Sequence, residues 1–221
     1  DHGRVIAASL IFRDISERKI AEEKQLLLMG ELNHRVKNLL AVVQVVARQT
    51  ASVSDAATFG NKLSDRLLGL AACQDLLVQT NWLGAELTEL ISAQLAHFSD
   101  MIGTRIFIDG PDIKVSPNVA QGLGMALHEL ATNAAKYGAL SNSTGGVKIS
   151  WQIQNDPDPR FAIQWVEHDG PLVEPPTKEG FGNKVLRRMV EASVKGEVSL
   201  DYAPDGLRWN LEAPLSDITA E

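Results

Sequence analysis

The sequence predicts an α+β protein in which a helical hairpin precedes an α/β sandwich. The chain has no proline between residues 15 and 77, whereas all nine of its prolines lie from Pro111 onward. The proline-free part carries apolar residues at heptad spacing, which is typical of packed helices. The later part combines helical patterns with short alternating segments bounded by Gly, Pro, Asn and Asp, which are typical of strands. We therefore expect a mixed sheet with helices on one face in the second domain.

The composition is that of a globular protein with an acidic balance. The 221 residues include 21 Lys and Arg against 28 Asp and Glu, a formal charge of −7, and 44% are apolar. No basic stripe suited to nucleic acid is present, and no apolar run reaches the roughly 20 residues that span a bilayer. The N-terminus lacks the pattern of a signal peptide. Cys73 is the only cysteine, so no internal disulfide can form, and we expect a cytoplasmic protein.

The hairpin is predicted over residues 20–80. Its first helix carries an apolar stripe with alternating spacings of three and four, formed by Met29, Leu32, Val36, Leu39, Val43 and Val46. The small and polar residues 50–54 end this helix. A second amphipathic run follows, with Phe59, Leu63, Leu67, Leu70 and Leu77. Two helices bury little alone, so we expect the stripes to be covered either by a second copy, in a four-helix bundle, or by the following domain.

The α/β sandwich is predicted over residues 81–221. It begins with a helix whose shared face carries Leu87, Leu90, Ile91 and Leu95. A second helix has Ser116 as its N-cap and Pro117 at its first position, and ends near Gly138. A third helix is predicted from about residue 181 to residue 194. Strands are predicted at residues 105–109, 147–154, 161–167, 196–202 and 207–212.

The first candidate site is His34, within residues 31–38, which read Glu-Leu-Asn-His-Arg-Val-Lys-Asn. His34 stands two residues from both Leu32 and Val36, so at about 100° per residue it points away from the apolar stripe. An exposed, neutral imidazole can attack phosphorus without a base first removing a proton. Periodicity alone, however, favours an ordinary surface histidine.

The second candidate site lies on the helix that starts at Pro117. Glu129, Asn133 and Lys136 recur at i, i+4 and i+7, about 120° away from an apolar face formed by Leu123, Leu127, Leu130 and Ala134. A carboxylate, an amide oxygen and an ammonium group in line suit Mg²⁺ and phosphate. The alternative is a solvated helix face without a ligand.

The third candidate site joins a strand end to a helix start. Residues 165–171 read Trp-Val-Glu-His-Asp-Gly-Pro, and residues 180–182 read Gly-Phe-Gly. Glu167 or Asp169 can accept a hydrogen bond from the exocyclic amine of adenine. Gly180 and Gly182 allow backbone amides at a helix N-terminus to approach phosphates, although such a turn needs no function.

Together and in this order, the motifs resemble those of the HWE family of bacterial sensor histidine kinases. They are Asn-His-Arg-Val-Lys-Asn at residues 33–38, His-Glu-Leu-x-x-Asn-Ala-x-Lys-Tyr-Gly at residues 128–138 and Trp-x-Glu at residues 165–167. The resemblance covers residues 20–213. It implies that residues 20–80 form the dimerization and histidine phosphotransfer hairpin. It also implies that residues 81–221 form an ATP-binding domain of the gyrase, Hsp90, histidine kinase and MutL type.

The resemblance also assigns roles to residues. His34 matches the phosphoacceptor, Asn133 the Mg²⁺ ligand, and Glu129 is a candidate general base. The implied nucleotide-binding residues are Asn133, Lys136, Tyr137, Glu167, Asp169, Gly170, Gly180, Phe181 and Gly182. Asp169 departs from the family pattern, because Gly is common at that position. Arg35 distinguishes the chain from many other histidine kinases, which have an acid after the phosphoacceptor.

The implied function is autophosphorylation of His34 from Mg-ATP, followed by transfer to an aspartate of a response regulator receiver domain. The implied partners also include an N-terminal sensor domain and a second copy of the chain, with a monomer left open. Residues 1–19 resemble the last strand and exit linker of a PAS sensor domain, and a helix lead-in is the alternative. The alternative functions are a nucleotide-binding module that docks partners without phosphotransfer, and an ATPase that never labels itself.

Overall fold

The computed structural model describes residues 14, 16–52, 54, 56–154, 157–173 and 185–219. The chain forms two compact units, which meet in the sequence at Val45 and Val46. Residues 1–13, which belong to the segment that resembles the end of a PAS sensor domain, lie outside the described residues. So does the Gly-Phe-Gly motif at residues 180–182. Among the helices of the described ranges, none is long and apolar enough to cross a membrane.

The two predicted hairpin helices are present. The first, α1, spans Ser16–Ala51, and the second, α2, spans Ala56–Gln79. In the first unit, the stripe residues Met29, Leu32 and Val36 are 53%, 55% and 47% exposed. They remain exposed because a single helix cannot bury its own apolar stripe.

Helix α2 belongs to the second unit and packs against the sandwich. Its buried residues are Gly69, Leu70, Cys73 and Leu77. They face α3, which spans Leu87–Gln94, and α4, which spans Pro117–Lys136. Of the two coverings that the sequence left open, the following domain is therefore the one that buries α2. The end of α1 joins this unit, since Arg66 Nη1 donates a 2.8 Å hydrogen bond to Thr50 Oγ1.

The main sheet has five strands in the order β2-β4-β5-β7-β6. These strands are β2 at Ile106–Asp109, β4 at Gly146–Gln154, β5 at Arg160–His168, β6 at Glu197–Ala203 and β7 at Gly206–Pro214. Strands β2 and β4 are parallel and the other pairs are antiparallel. A small antiparallel pair joins β1 at Ala85–Glu86 to β3 at Lys114–Val115. The predicted mixed sheet is confirmed, with strand ends displaced by one or two residues.

The helix that carries the second motif, α4, begins and ends close to its predicted limits. Ser116 occupies the N-cap position and Pro117 the first helical position, although the Ser116 side chain makes no capping hydrogen bond. The backbone N–H of Ser116 instead donates to the carbonyl oxygen of Ile218, 2.8 Å away. The predicted apolar face is confirmed, because Leu123, Leu127, Leu130 and Ala134 are all fully buried.

Short helical segments complete the second unit. Turns of 3₁₀ helix span Ala96–Met101 and Ala139–Ser141. The described part of the predicted third helix consists of a π-helical turn at Val185–Met189 followed by α5 at Val190–Ser193. Helix α6 spans Leu215–Ile218.

Alternation along β5 determines where its last residues point. Phe161, Ile163 and Trp165 are fully buried, and Glu167 continues the same alternation. Because side chains along a strand alternate with a period of two, Glu167 points to the core side of the sheet. The chain thus brings a carboxyl group into the core next to the end of α4.

Candidate functional site

His34 lies on an exposed face of α1, as predicted. The Nδ2 atom of Asn38, one helical turn later, lies 3.4 Å from Nδ1 of His34. Arg35 forms an ion pair with Glu31, and this hydrogen bond lowers the pKa of Glu31. Arg35 is thus engaged with the residue four positions earlier, and the imidazole stands on open helix surface.

The C-terminal end of α4 carries three of the predicted nucleotide-binding residues. Asn133 is half-buried, whereas Lys136 and Tyr137 are exposed. The Nζ atom of Lys136 lies 3.2 Å from a carboxylate oxygen of Asp65 on α2. This end of α4 offers an amide, an ammonium group and an aromatic ring to a ligand.

Glu129, the first member of the predicted stripe, is buried. Its Oε2 atom lies 3.4 Å from Nε of Arg66 on α2, with the two side chains 12% and 10% exposed. Helix α2 therefore covers the N-terminal part of the stripe, which was expected to face a ligand along its whole length. The role of Glu129 as a general base stays a prediction.

The carboxyl group of Glu167 accepts hydrogen bonds from two donors of the same chain. The indole Nε1 of Trp165 donates to Oε1 at 3.3 Å, and the backbone N–H of Ala139 donates to Oε2 at 2.8 Å. Burial raises the pKa of Glu167, while these two hydrogen bonds act in the opposite direction. The Trp-x-Glu spacing has a simple cause, because residues two apart on a strand share a face.

Two glycines allow the end of β5 to approach the turn after α4. A Cβ atom on Gly138 would lie 2.1 Å from Oε2 of Glu167. A Cβ atom on Gly170 would lie 2.7 Å from the Cα atom of Ala139. A side chain at Gly138 would displace the Glu167 carboxyl group, and one at Gly170 would collide with the backbone of Ala139.

Asp169 differs from Glu167 in its backbone conformation, its exposure and its side-chain partner. Its φ of 55° is left-handed, a conformation that Asp adopts more readily than most residues. Its exposed carboxylate contacts Nδ1 of His168 at 3.0 Å. Its carbonyl oxygen accepts a 2.9 Å hydrogen bond from Nδ2 of Asn142. The sequence left both acids open for adenine, and Glu167 is the one with a fixed, buried carboxyl group.

Two residues that the motifs did not include organise the same region. The guanidinium of Arg105 donates to the carbonyl oxygens of Ala139, Asn142 and Gly145 at 3.1, 2.7 and 2.7 Å. The Oδ1 atom of Asn142 accepts hydrogen bonds from the backbone N–H groups of Thr144 and Gly145. The Asn-Ser-Thr-Gly-Gly composition of residues 142–146 indicates a turn. No sequence signal connects that turn to Arg105.

The residues present are compatible with ATP and with Mg²⁺ that is held mainly by phosphate. The buried carboxyl group of Glu167 can accept a hydrogen bond from a base that carries an amine. The ammonium group of Lys136 can bind phosphate. Over the described part of the chain, no group of three or more His, Cys, Asp and Glu is placed to hold a metal ion. Mg²⁺ commonly binds one or two protein ligands together with substrate phosphates, so Asn133 fits such a role.

The sequence of the chain is similar to those of known histidine kinases. A sequence model of the HWE histidine kinase family matches residues 31–112. Blue-light-activated histidine kinases of Brucella anthropi and Brucella ovis are each 38% identical to the chain, over 205 and 208 residues. The alignments cover 92% and 93% of this chain but 42% of each relative, so the chain spans less than half of their length.

Two solved structures share the fold. The blue-light activated histidine kinase EL346 of Erythrobacter litoralis matches with a TM-score of 0.60 and 18% identity, over 84% of this chain and 60% of that one. Its histidine kinase domain matches with a TM-score of 0.50 and 16% identity, over 80% of this chain and 95% of that one. The predicted fold class is confirmed, because the helices and the mixed sheet of this chain match the fold of these two histidine kinase structures. Residues 31–112 therefore belong to the HWE histidine kinase family, and similarity to histidine kinases extends over more than nine-tenths of the chain.

Proposed function

We propose that this chain is the kinase core of a sensor histidine kinase, which transfers the γ-phosphoryl group of Mg-ATP to His34. The observation that carries the proposal is the contact between Glu167 and Ala139. It joins the Trp-x-Glu motif to the turn directly after Lys136 and Tyr137. The exposed position of His34 on α1 supports its role as phosphoacceptor.

In this proposal, the base and the phosphates of ATP meet different parts of the second unit. Glu167 accepts a hydrogen bond from the exocyclic amine of adenine, because an ionised carboxylate has about four acceptor sites and two are occupied. Tyr137 and Gly170 lie at the base end, and Asp169 is the alternative acid. Lys136 and the backbone of Gly180, Phe181 and Gly182 bind phosphates.

Bound Mg-ATP would supply the transferable phosphoryl group, and the metal would neutralise part of the phosphate charge. Asn133 would hold Mg²⁺ through its amide oxygen. The lone pair of one His34 nitrogen forms the N–P bond as the bond from γ-phosphorus to the bridging oxygen breaks and ADP leaves. For this, the proton of the neutral ring must sit on the other nitrogen. If that nitrogen is Nδ1, Asn38 must present its carbonyl oxygen to it.

Catalysis of this step needs no base before the attack, because the attacking nitrogen already holds a lone pair. Glu129 therefore acts as a general base only if it leaves Arg66, its ion-pair partner. We assign the larger part of catalysis to positioning and charge neutralisation.

The proposed route continues to a response regulator. The N–P bond of phosphorylated His34 breaks as a receiver-domain aspartate forms an acyl phosphate, which restores the imidazole. We further propose that an N-terminal sensor domain, to which residues 1–19 would connect, controls this core in the whole protein. A homodimer through α1 is proposed as the assembly, with a monomer as the alternative.

Labelling with γ-³²P-ATP and Mg²⁺ tests the phosphotransfer. We expect acid-labile, alkali-stable label on the chain, no label after chelation of Mg²⁺, and no label on His34→Gln. The matched control is His97→Gln, which replaces an exposed histidine of the second unit and should retain the label. Label on His34→Gln would remove His34 as the phosphoacceptor.

The same assay separates the two alternative functions. A partner-docking module would bind ATP without forming phosphohistidine or ADP. A strict ATPase would release ADP and phosphate while the protein stayed unlabelled. Asn133→Ala should weaken Mg-ATP binding in all three cases, and unchanged affinity would place the metal ligand elsewhere.

A further inference from the structure

Arg105 lies at the start of β2 and is half-buried. Three carbonyl oxygens of one loop, from Ala139, Asn142 and Gly145, accept hydrogen bonds from its guanidinium. The loop follows α4 directly and leads into β4, so Arg105 fixes the connection between the second motif and the sheet. A planar guanidinium with five donors can satisfy several carbonyl groups at once, which an ammonium group cannot do with the same geometry.

Two of the three anchored residues also bind the acids that were predicted to meet adenine. The carbonyl of Ala139 accepts from Arg105, and the N–H of Ala139 donates to Glu167 at 2.8 Å. The carbonyl of Asn142 accepts from Arg105, and its side-chain amide donates to the backbone of Asp169 at 2.9 Å. Arg105 is therefore linked through one residue to each acid.

We propose that Arg105 is a positioning residue for base recognition, because it holds the residue 139–145 loop against the end of β5 through three carbonyl groups. The inference rests on the proposed function, in which the second unit binds ATP. It does not depend on which acid meets adenine, since both are linked to the loop. Arg105 itself touches neither a reacting atom nor, in this proposal, the nucleotide.

The test compares Arg105→Met and Arg105→Lys with the unmodified chain. We expect the Kd for Mg-ATP to rise about tenfold in both variants, because neither can bond three carbonyls in a plane. Labelling at saturating ATP should stay within about threefold, since the phosphoacceptor and phosphate contacts are retained. The preference for ATP over GTP should fall about tenfold, because selectivity for the base depends on the placement of Glu167 and Asp169.

The matched control is Trp151→Phe. The indole of Trp151 donates a 2.7 Å hydrogen bond to the carbonyl oxygen of Pro111, so this variant also removes a side-chain contact with a loop backbone. Trp151 lies further along β4, away from Gly146 and the candidate site. Trp151→Phe should lower the melting temperature while leaving the Kd for ATP and the preference over GTP unchanged.

The other possible results would overturn the inference or the proposed function. Normal ATP affinity and selectivity in Arg105→Met would overturn the inference, as would an equal loss in Trp151→Phe. Recovery in Arg105→Lys would show that charge rather than the three-carbonyl fork matters, which also overturns it. If Arg105→Met does not fold, Arg105→Lys and Asn142→Ala carry the test, the latter with about a threefold loss of affinity. Absence of ATP binding in the unmodified chain would instead reject the proposed function.

Discussion

At the scale of single residues, the hydrogen bond between Trp165 and Glu167 gives a physical reason for the Trp-x-Glu motif. The indole donates to one carboxyl oxygen and the Ala139 backbone donates to the other. The tryptophan thus anchors the acid within the core, and the acid in turn binds the turn after α4. Replacement of either residue changes the placement of the other.

Glu167→Gln should weaken ATP binding by about 1 to 3 kcal/mol, or about 5- to 150-fold, if Glu167 is the buried acceptor for adenine. Asp169→Asn should have a smaller effect, because the Asp169 carboxylate is exposed and contacts the ring of His168 rather than the turn after α4. Isothermal titration with Mg-ATP measures both. Glu197→Gln, an exposed substitution on β6, is the matched control. A larger loss in Asp169→Asn than in Glu167→Gln would exchange the two roles.

The pKa of Glu167 also predicts how stability depends on pH. Burial raises the pKa of this carboxyl group from its usual 4.5, so the folded chain holds the proton more tightly than the unfolded chain. Its contribution to stability is present below pH 4.5 and is lost as the pH rises through the folded pKa.

Because Gln does not titrate, Glu167→Gln should become more stable relative to the unmodified chain as the pH rises from 4.5 toward 7.5. Urea midpoints measured without nucleotide at several pH values give this difference. A stability difference that is independent of pH would contradict the raised pKa. Glu197→Gln again supplies the comparison, since its side chain is exposed.

At the scale of secondary-structure elements, α2 and α4 pack closely at a glycine. A Cβ atom on Gly69 of α2 would lie 2.6 Å from Cγ of His128 on α4. The Nε2 atom of Gln94 on α3 donates to the carbonyl oxygen of the same glycine at 3.1 Å. Gly69 therefore leaves room for the His128 ring between the helices, and an alanine at this position would force that ring to shift.

The ion pair between Arg66 and Glu129 joins the same two helices in a buried setting. Arg66→Met should cost about 3 to 5 kcal/mol of unfolding free energy, because it leaves the Glu129 charge buried without this partner. Adding Glu129→Leu should recover most of the loss. Lys136→Met is the matched control, because it breaks an exposed pair with Asp65 and should cost less than about 1 kcal/mol.

Urea unfolding of the single and double variants measures these differences. An Arg66→Met loss no larger than that of Lys136→Met would mean that the buried pair does not stabilise the contact. A double variant as unstable as Arg66→Met would mean that packing rather than charge dominates. The double-mutant cycle separates these contributions because the two residues touch directly.

The elements themselves could be predicted from the sequence more readily than their contacts. Heptad and helical spacing indicated α1, α2 and α4, and alternation indicated all five strands of the main sheet. Apolar spacing shows that a face of α2 is buried but not what buries it, so the packing on α4 was left open. The π-helical turn at Val185–Met189 has no period that distinguishes it from an α-helix.

The candidate site was predictable where a motif marks it. Glu167 and the end of α4 were predicted from local patterns, and the structure brings them together. Arg105 and Asn142 were not predicted. Any residue type can supply a backbone carbonyl, so a guanidinium that binds carbonyls leaves no pattern in the sequence. The burial of Glu129 was missed for a related reason, since helical spacing places it on a stripe without showing what covers the stripe.

At the scale of the whole molecule, the compact division of the chain differs from the proposed functional one. The two compact units divide between Val45 and Val46 in the sequence, and α2 packs with α3 and α4 within the second unit. The functional boundary near residue 80 stays a prediction. Among the described residues of the first unit, the stripe residues Met29, Leu32 and Val36 are exposed.

The exposed stripe of α1 leads to the prediction of a dimer. Met29, Leu32 and Val36 form one face at heptad spacing, and a second copy of the same helix would bury them in a bundle. Light scattering should therefore give about twice 24.0 kDa, the mass of one chain. Met29→Glu should shift the equilibrium to monomer without unfolding the chain, because this position is exposed within one copy.

Leu27→Glu provides the matched control for this prediction. Leu27 is also exposed, but at two residues from Met29 it points about 200° away from it around the helix. A charge there should leave the dimer intact, whereas equal dissociation by both variants would point to a loss of helix rather than of an interface. A mass of 24.0 kDa for the unmodified chain across about a hundredfold range of concentration would establish the monomer instead. The stripe would then need a different covering partner, and the proposed N-terminal sensor domain is the candidate.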